Sequence, residues 1–429
     1  MKKTNVHDIY LSSFGLRENT IERIEKAEEK LQARFKALEE IRSYNQVKVL
    51  RALQENRLSQ ADFFSATGYG YGDSGRDKTE AIFRDVFKAG ACIVRPSIAS
   101  GTHALSTILF ALLSKGDRMV AVTGQPYDTL QEVIGVKGKE VGTLLEKGVN
   151  YSAIPLKKGG TIDYNALDLA LKTPVRLVEL QRSTGYTDRR AFTIDELGQA
   201  ISFIKARQPK AIVMVDNCYG EFTETREPIE VGADIIAGSL IKNPGGGIAV
   251  SGGYIAGRED LVNRCMNHLT APGLGKDTGL TFGTTRTTLQ GLFLAPHVTI
   301  EALKGALLFC KVYEDLGYTC YPSLDDPRSD IIQAIVLEDP DRLISFVRAI
   351  QQAASVGAEV VPYPWSMPGY SDQVIMASGG FIDGSSIEVS ADGPLRPPYL
   401  AYYQGGLVYD QSKLALLLSI LSLEDSKEI

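Results

Sequence analysis

Five features stand out for the chemistry that their residue types and surroundings allow. Lys242 lies in Ala237-Gly-Ser-Leu-Ile-Lys-Asn-Pro-Gly-Gly-Gly247, where an apolar run delivers a lysine into a glycine-rich turn. Asp216 ends the short apolar run Val213-Met-Val215, 26 residues before that lysine. Ser100, Gly101 and Thr102 open an apolar helical stretch. Tyr127 follows a proline in Thr123-Gly-Gln-Pro-Tyr-Asp128, and Arg396 lies among Pro394, Pro397 and Pro398. An amine, a carboxylate, an anion cup, an aromatic plate and a cation are the parts needed to hold pyridoxal phosphate and an amino acid.

In that reading Lys242 forms the Schiff base with the cofactor and, once displaced, is the base at Cα. Apolar or cationic surroundings lower a lysine pKa, which suits the role. Asp216 keeps the pyridine nitrogen protonated. Ser100, Gly101 and Thr102 bind the phosphate through N–H groups at a helix start, and Ser239 adds a hydroxyl. Tyr127 stacks on the ring and passes a proton to a leaving group. Arg396, on a stiff backbone, clamps an α-carboxylate. Each residue alone has a plainer reading. Lys242 could begin a loop, Asp216 could cap a turn, and Ser100 could be a helix N-cap. Tyr127 could be a half-buried loop tyrosine and Arg396 a surface arginine. Their order along the chain is what favours the cofactor.

The elements that must position them follow from periodicity. From Lys78 to Gly257 predicted strands (91–94, 118–122, 175–180, 211–215, 235–237, 253–255) alternate with helices such as 102–113 and 194–205. Such alternation predicts an α/β fold with a mostly parallel sheet covered on both faces. Ligands in such sheets sit at the carboxyl ends of the strands. Ser100, Tyr127, Asp216 and Lys242 all follow predicted strands, so one crevice could hold them. Apolar residues at three- and four-residue steps predict a helix over 17–58. From Glu301 the pattern changes to a smaller α/β domain with helices over 302–316, 340–354 and 411–421. The division expected is a helical arm (1–66), a cofactor-binding large domain (67–300) and a small domain (301–429).

Several classes are disfavoured. With 429 residues, 44% hydrophobic, 23% charged and a net charge of −6, the chain reads as two ordinary globular domains with no nucleic-acid or membrane partner. The amino-terminal Met-Lys-Lys-Thr-Asn-Val-His-Asp lacks the apolar core of a signal peptide. Leu414–Leu423, the longest apolar run, is too short to span a bilayer. Five cysteines without a Cys-x-x-Cys suggest free thiols and a cytoplasmic location. No metal site assembles by spacing. Gly70, Gly72 and Gly75 match G-x-G-x-x-G, but the segment before them reads as a helix end where the fingerprint needs a strand. Gly273-Leu-Gly-Lys-Asp-Thr278 departs from a P-loop at Asp277. Asp188-Arg-Arg190 reads as a solvated turn.

Ser100-Gly101, Tyr127, Asp216-Asn217 and Ser239-x-x-Lys242 together resemble the fold-type I pyridoxal-phosphate enzymes of the cysteine/methionine-metabolism family, which includes methionine γ-lyase and the cystathionine lyases. The chain is most similar to the branch labelled aluminium-resistance or cystathionine β-lyase-like protein. The resemblance runs from Tyr69 to the carboxyl-terminal domain. It implies that Tyr71 and Arg76 reach a neighbouring subunit's cofactor phosphate, hence a homodimer with shared active sites, with dimers paired in a homotetramer. It implies a carbon–sulfur lyase that takes a small sulfur-containing amino acid to a thiol, a 2-oxo acid and ammonia. Aminotransfer, or a low-turnover cofactor-carrying protein linked to metal tolerance, are the alternatives. Glu179-Leu-Gln-Arg-Ser-Thr184 lacks the family's asparagine for the ring hydroxyl, so Gln181 or Ser183 replaces it or the contact is lost. No cluster of oxygen ligands for a hard cation such as Al³⁺ is evident.

Overall fold

Apolar runs of about five residues separated by amphipathic helices fold here as expected for βα units. The computed structural model describes residues 5–367 and 372–425; the first four residues of the signal-peptide reading lie outside them. Contacts divide the chain into two units, a large one of residues 43–296 with 328–330 and a small one of residues 1–42, 297–327 and 331–429.

In chain order the helices are α1 (Val6–Phe14), α2 (Glu18–Glu55), α3 (Ser74–Phe87), α4 (Gly101–Leu112), α5 (Asp128–Ile134), α6 (Tyr164–Ala170) and α7 (Ile194–Arg207). They continue with α8 (Glu259–Leu269), α9 (Thr285–Asp315), α10 (Pro340–Gln352) and α11 (Tyr409–Asp425). The strands of the large unit are β1 (Ala91–Arg95), β2 (Arg118–Ala121), β3 (Asn150–Ala153), β4 (Leu177–Gln181), β5 (Ile212–Asp216), β6 (Ile235–Ser239) and β7 (Gly253–Gly257). Those of the small unit are β8 (Cys320–Tyr321), β9 (Ile332–Val336), β10 (Val374–Ser378), β11 (Ser390–Pro394) and β12 (Leu400–Gln404).

The large sheet has the order β1-β7-β6-β5-β4-β2-β3. β3, β2, β4, β5 and β6 are parallel, and β7 is antiparallel to both neighbours. Every residue of β4, β5, β6 and β7 is buried, as strands covered on both faces must be. Side chains alternate between two apolar layers. Val213 and Val215 join Phe83, Phe87, Leu197 and Ile201 in one layer. Ile212 and Met214 join Leu105, Ile108 and Leu261 in the other. The small unit has a five-stranded antiparallel sheet ordered β10-β11-β12-β9-β8, with α10 and α11 packed on one another in its core.

Two expectations change. Residues 1–66 are not a separate arm, because 1–42 group with the small unit and 43–66 with the large one. The later boundary falls at Pro296, inside α9. A proline there removes an i→i−4 hydrogen bond. The helix predicted over 302–316 is the second half of α9. By composition α9 is also long and apolar enough to cross a membrane, but 72% of its apolar window is buried within the fold, as in a core helix. The segment before Gly70 is a 3-10 turn, Gln60–Phe63, so the G-x-G-x-x-G match has no strand before it.

Phe87 is fully buried and stacks on Tyr254, with ring centroids 4.8 Å apart. Phe87→Ala should destabilise the large unit by about 3–5 kcal/mol, read as a lower urea midpoint, with Phe87→Leu losing less than half as much.

Candidate active site

Four strand ends and one helix start converge in the large unit. Ser100 is the N-cap of α4, and its Oγ accepts from the His103 N–H at 3.0 Å. The plain capping role is therefore real, and it leaves the first two amides of α4 open. Those of Gly101 and Thr102 meet no acceptor among the described residues. A Cβ at Gly101 would lie 3.0 Å from the Cys218 Sγ and 3.5 Å from the Ser239 Cβ. Only glycine lets the helix start sit so close to the ends of β5 and β6. Thr102 reaches the other way, its Oγ1 lying 2.7 Å from that of Thr129 on α5.

Tyr127 precedes α5, and its N–H donates to the Gln181 Oε1 at 2.7 Å. Gln181 ends β4 and pairs in register with Asp216. Its Nε2 donates to the Ser183 carbonyl at 3.2 Å. Gln181 thus sits beside Asp216, where the sequence left open what replaces the family's asparagine. The Tyr127 ring faces Tyr186 at 5.8 Å. Contacts and register therefore link Ser100, Tyr127 and Asp216 around one rim.

Lys242 follows β6 and begins the 3-10 turn Asn243–Gly245. Its Nζ lies over the Tyr219 ring, 4.1 Å from the centroid. Asn243 fastens the turn, since its Nδ2 donates to the Tyr219 carbonyl at 2.9 Å and the Glu221 carbonyl at 3.0 Å. Burial acts to lower the Lys242 pKa, but attraction from Cys218, Tyr219, Asp216 and Glu221 outweighs it and the pKa rises. The lowered value expected from an apolar setting is not what this protein alone produces. Burial raises the Asp216 pKa, with Lys242 and the Cys218 N–H (3.0 Å) opposing the rise.

Beneath these residues lies a buried polar network that the sequence reading missed. The Arg182 guanidinium is fully buried and donates to Asn217 (2.9 Å), Thr223 (3.1 Å), Glu224 (3.1 Å), Glu227 (3.4 Å) and Ser329 (3.0 Å). The Tyr254 hydroxyl donates to Glu221 at 2.8 Å. The other Glu221 oxygen is buried without a partner. Burial foremost lifts the Glu221 pKa to about 8. A Cβ at Gly238 would lie 2.4 Å from the Glu221 Oε1, so Glu221 packs directly under β6. The available signal was a charged residue inside an otherwise apolar predicted strand, as at Glu179; Arg182 lies just past that strand and gave none.

Other expected residues lie differently. Arg76 is buried in its own chain, its Nη1 donating to the Gly70 carbonyl at 2.6 Å and the Gly279 carbonyl at 3.3 Å, and its Nε to Asp77 at 3.0 Å. It braces the glycine loop internally in place of the outward reach expected. Tyr71 is 65% exposed and packs on Tyr69. Arg396 belongs to the small unit, half exposed, and pairs with Asp372 at 3.2 Å. Arg189, read as part of a solvated turn, is buried and donates to the Ser183 carbonyl at 2.7 Å. All five cysteines are buried thiols. Among the described residues one group, Cys310, Glu314 and Cys320, brings three possible metal-ligand atoms within 4.8 Å of one another. Glu314 there accepts from the Leu324 N–H at 3.0 Å, which accounts for its place as a turn brace.

A parallel sheet with a lysine and an aspartate at adjacent strand ends, beside a helix start with open amides, defines a fold-type I α/β protein. The methionine gamma-lyase family model matches residues 20–424, and the chain belongs to that family. It is 47% identical over 389 residues to the uncharacterized protein YnbB of Bacillus subtilis, covering 90% of this chain and 92% of that one. A carbon-sulfur lyase involved in aluminum resistance from Clostridium novyi NT superposes with a TM-score of 0.94 at 45% identity, covering 98% of this chain and 99% of that one. The pyridoxal-5'-phosphate-dependent protein YhfS of Escherichia coli shares the fold, with a TM-score of 0.61 at 16% identity over 90% of this chain and 97% of that one. The family implies pyridoxal phosphate, and the residues fit it. The open amides of Gly101 and Thr102 suit a dianion, and Asp216 and Lys242 supply the carboxylate and the amine.

Glu221 gives a pH test. Its folded pKa lies above the unfolded one, so the folded state holds the proton more tightly. Its presence should cost stability progressively as pH rises from about 4.5 to about 8, and no further above that. Urea midpoints of Glu221→Gln should fall less steeply than wild type across that window; parallel curves would show that Glu221 does not hold its proton.

Proposed function

We propose that this protein is a pyridoxal-phosphate-dependent carbon–sulfur lyase acting on a small sulfur-containing amino acid. The observation that carries the reading is the meeting of Lys242, Asp216 and the open start of α4 at the ends of β5 and β6. Family membership and the similarity to a carbon-sulfur lyase support it.

Pyridoxal phosphate, when bound, supplies the electron sink that lets a Cα proton leave. The chain's own residues do the rest. The amides of Gly101 and Thr102 and the Ser239 hydroxyl hold the phosphate. Asp216 holds the ring nitrogen, with Gln181 beside it. The Lys242 amine would hold the cofactor and, when free, would take the Cα proton of the amino acid. The Tyr127 hydroxyl gives a proton to the departing sulfur, and Gln181 fixes the Tyr127 backbone for that purpose. For cystathionine the balance is substrate plus water giving homocysteine, pyruvate and ammonia. For methionine it is substrate plus water giving methanethiol, 2-oxobutanoate and ammonia, with one further proton transfer at Cβ. We assign the substrate carboxylate to Arg396. The assembly we expect is a homodimer or homotetramer in the cytoplasm, with the exposed Tyr71 at its contact.

The purified protein should carry the visible absorbance of bound pyridoxal phosphate, and borohydride should fix the cofactor to the peptide containing Lys242. Lys242→Ala should lose both, together with thiol release from cystathionine or methionine. A 2-oxo acid formed without thiol would favour aminotransfer, and a spectrum unmoved by any amino acid would favour a binding role. Arg396→Ala should raise KM by about 10–100-fold, in line with a lost charge-assisted pair, with kcat changed far less. An unchanged KM would remove Arg396 from the site.

A further inference from the structure

Among the described residues, only Glu179 has two carboxylate oxygens that are both buried and both without a hydrogen-bond partner. Its side chain is fully buried in β4. Its place in the sheet is specific. Gln181 is opposite Asp216 and Glu179 is opposite Met214. Side chains two apart on a strand share a face. Glu179 therefore lies on the same face as Gln181 and Asp216, one strand-step deeper, in the layer to which Met214 belongs.

The groups that act on it come from three elements. They are Asp216 on β5, Tyr151 on β3 and Arg189 in the loop after β4. Tyr151 already donates to Gln125 at 2.9 Å, and Arg189 donates to the Ser183 and Arg190 carbonyls. Neither donates to Glu179, and an ionised carboxylate in that setting is far costlier than a neutral acid. Burial first, and then the Asp216 charge, push its pKa up to about 8, with Arg189 opposing.

We propose that Glu179 is a positioning residue for the pyridine end of the cofactor: it stays a neutral acid one step below Asp216, so that Asp216 is the member of the pair that ionises and meets the ring nitrogen. Two buried carboxyls this close do not both ionise readily. The one nearer the cationic ring and Lys242 takes the charge, and the deeper one keeps its proton. This inference rests on the pyridoxal-phosphate reading and adds to it what fixes the charge of Asp216.

The test compares wild type, Glu179→Gln, Glu179→Met and Asp216→Asn as holoproteins and after cofactor removal. At pH 7 Glu179→Gln should bind pyridoxal phosphate within about threefold of wild type, whereas Asp216→Asn should lose at least tenfold. The wild-type visible spectrum should show a transition near pH 8 that Glu179→Gln and Glu179→Met both lack. A pH profile identical in all three, or a tenfold loss of cofactor in Glu179→Gln at pH 7, would overturn the proposal. Cofactor-free wild type should lose urea resistance between about pH 5 and 8 more steeply than Glu179→Gln. That measurement separates the two ideas. If the protein binds no pyridoxal phosphate, both the function and this role fall, yet the slope still reports whether Glu179 is neutral. If variants at Glu179 do not fold, the wild-type spectrum alone decides, since a missing transition near pH 8 refutes it.

Discussion

The fully buried guanidinium of Arg182 fixes the chain that follows β5. It holds Asn217, Thr223, Glu224 and Glu227 at once, so residues 217–227 have little freedom to move. The fit is close enough that a Cβ at Gly220 would lie 2.4 Å from the Arg182 Cδ. A buried ion pair of this kind adds little net stability, but losing one partner strands a charge in the interior. Its value here is geometric. The loop it holds carries Cys218, Tyr219 and Glu221, which surround Lys242, and it begins at Asp216.

The remaining parts are built against that loop. Asn243 ties the Lys242 turn to the Tyr219 and Glu221 carbonyls. Gly101 lets α4 rest on Cys218 and Ser239. Glu221 and Tyr254 fill the space under Gly238. The result is a small region where acids outnumber bases and water is scarce. Charges there are set by one another. That is why the Lys242 pKa rises although burial opposes the rise, while burial first and neighbouring acids second lift the Glu179 and Glu221 pKa values above the usual carboxylate range.

Much of this was legible in the sequence. Six of the seven strands of the large sheet, all but β3, and the long helix over 18–55 follow from hydrophobic periodicity, which is local. Ser100, Asp216 and Lys242 could be picked out because strand ends are visible as the place where an apolar run meets a small or polar residue. Arg189 was misread because an arginine beside aspartate looks solvated; only packing reveals that a backbone carbonyl receives it in the interior.

The sequence by itself determined the order of strands and helices, the family and the chain positions of the candidate cofactor residues, since these depend on patterns within short windows and on motif order. The tertiary structure decided which residues share one environment. Arg182 meets Glu227 across 45 residues. Glu179 comes under the influence of Asp216 across two strands. The protonation of such groups depends on burial and on neighbours distant in the chain, and no local pattern encodes either.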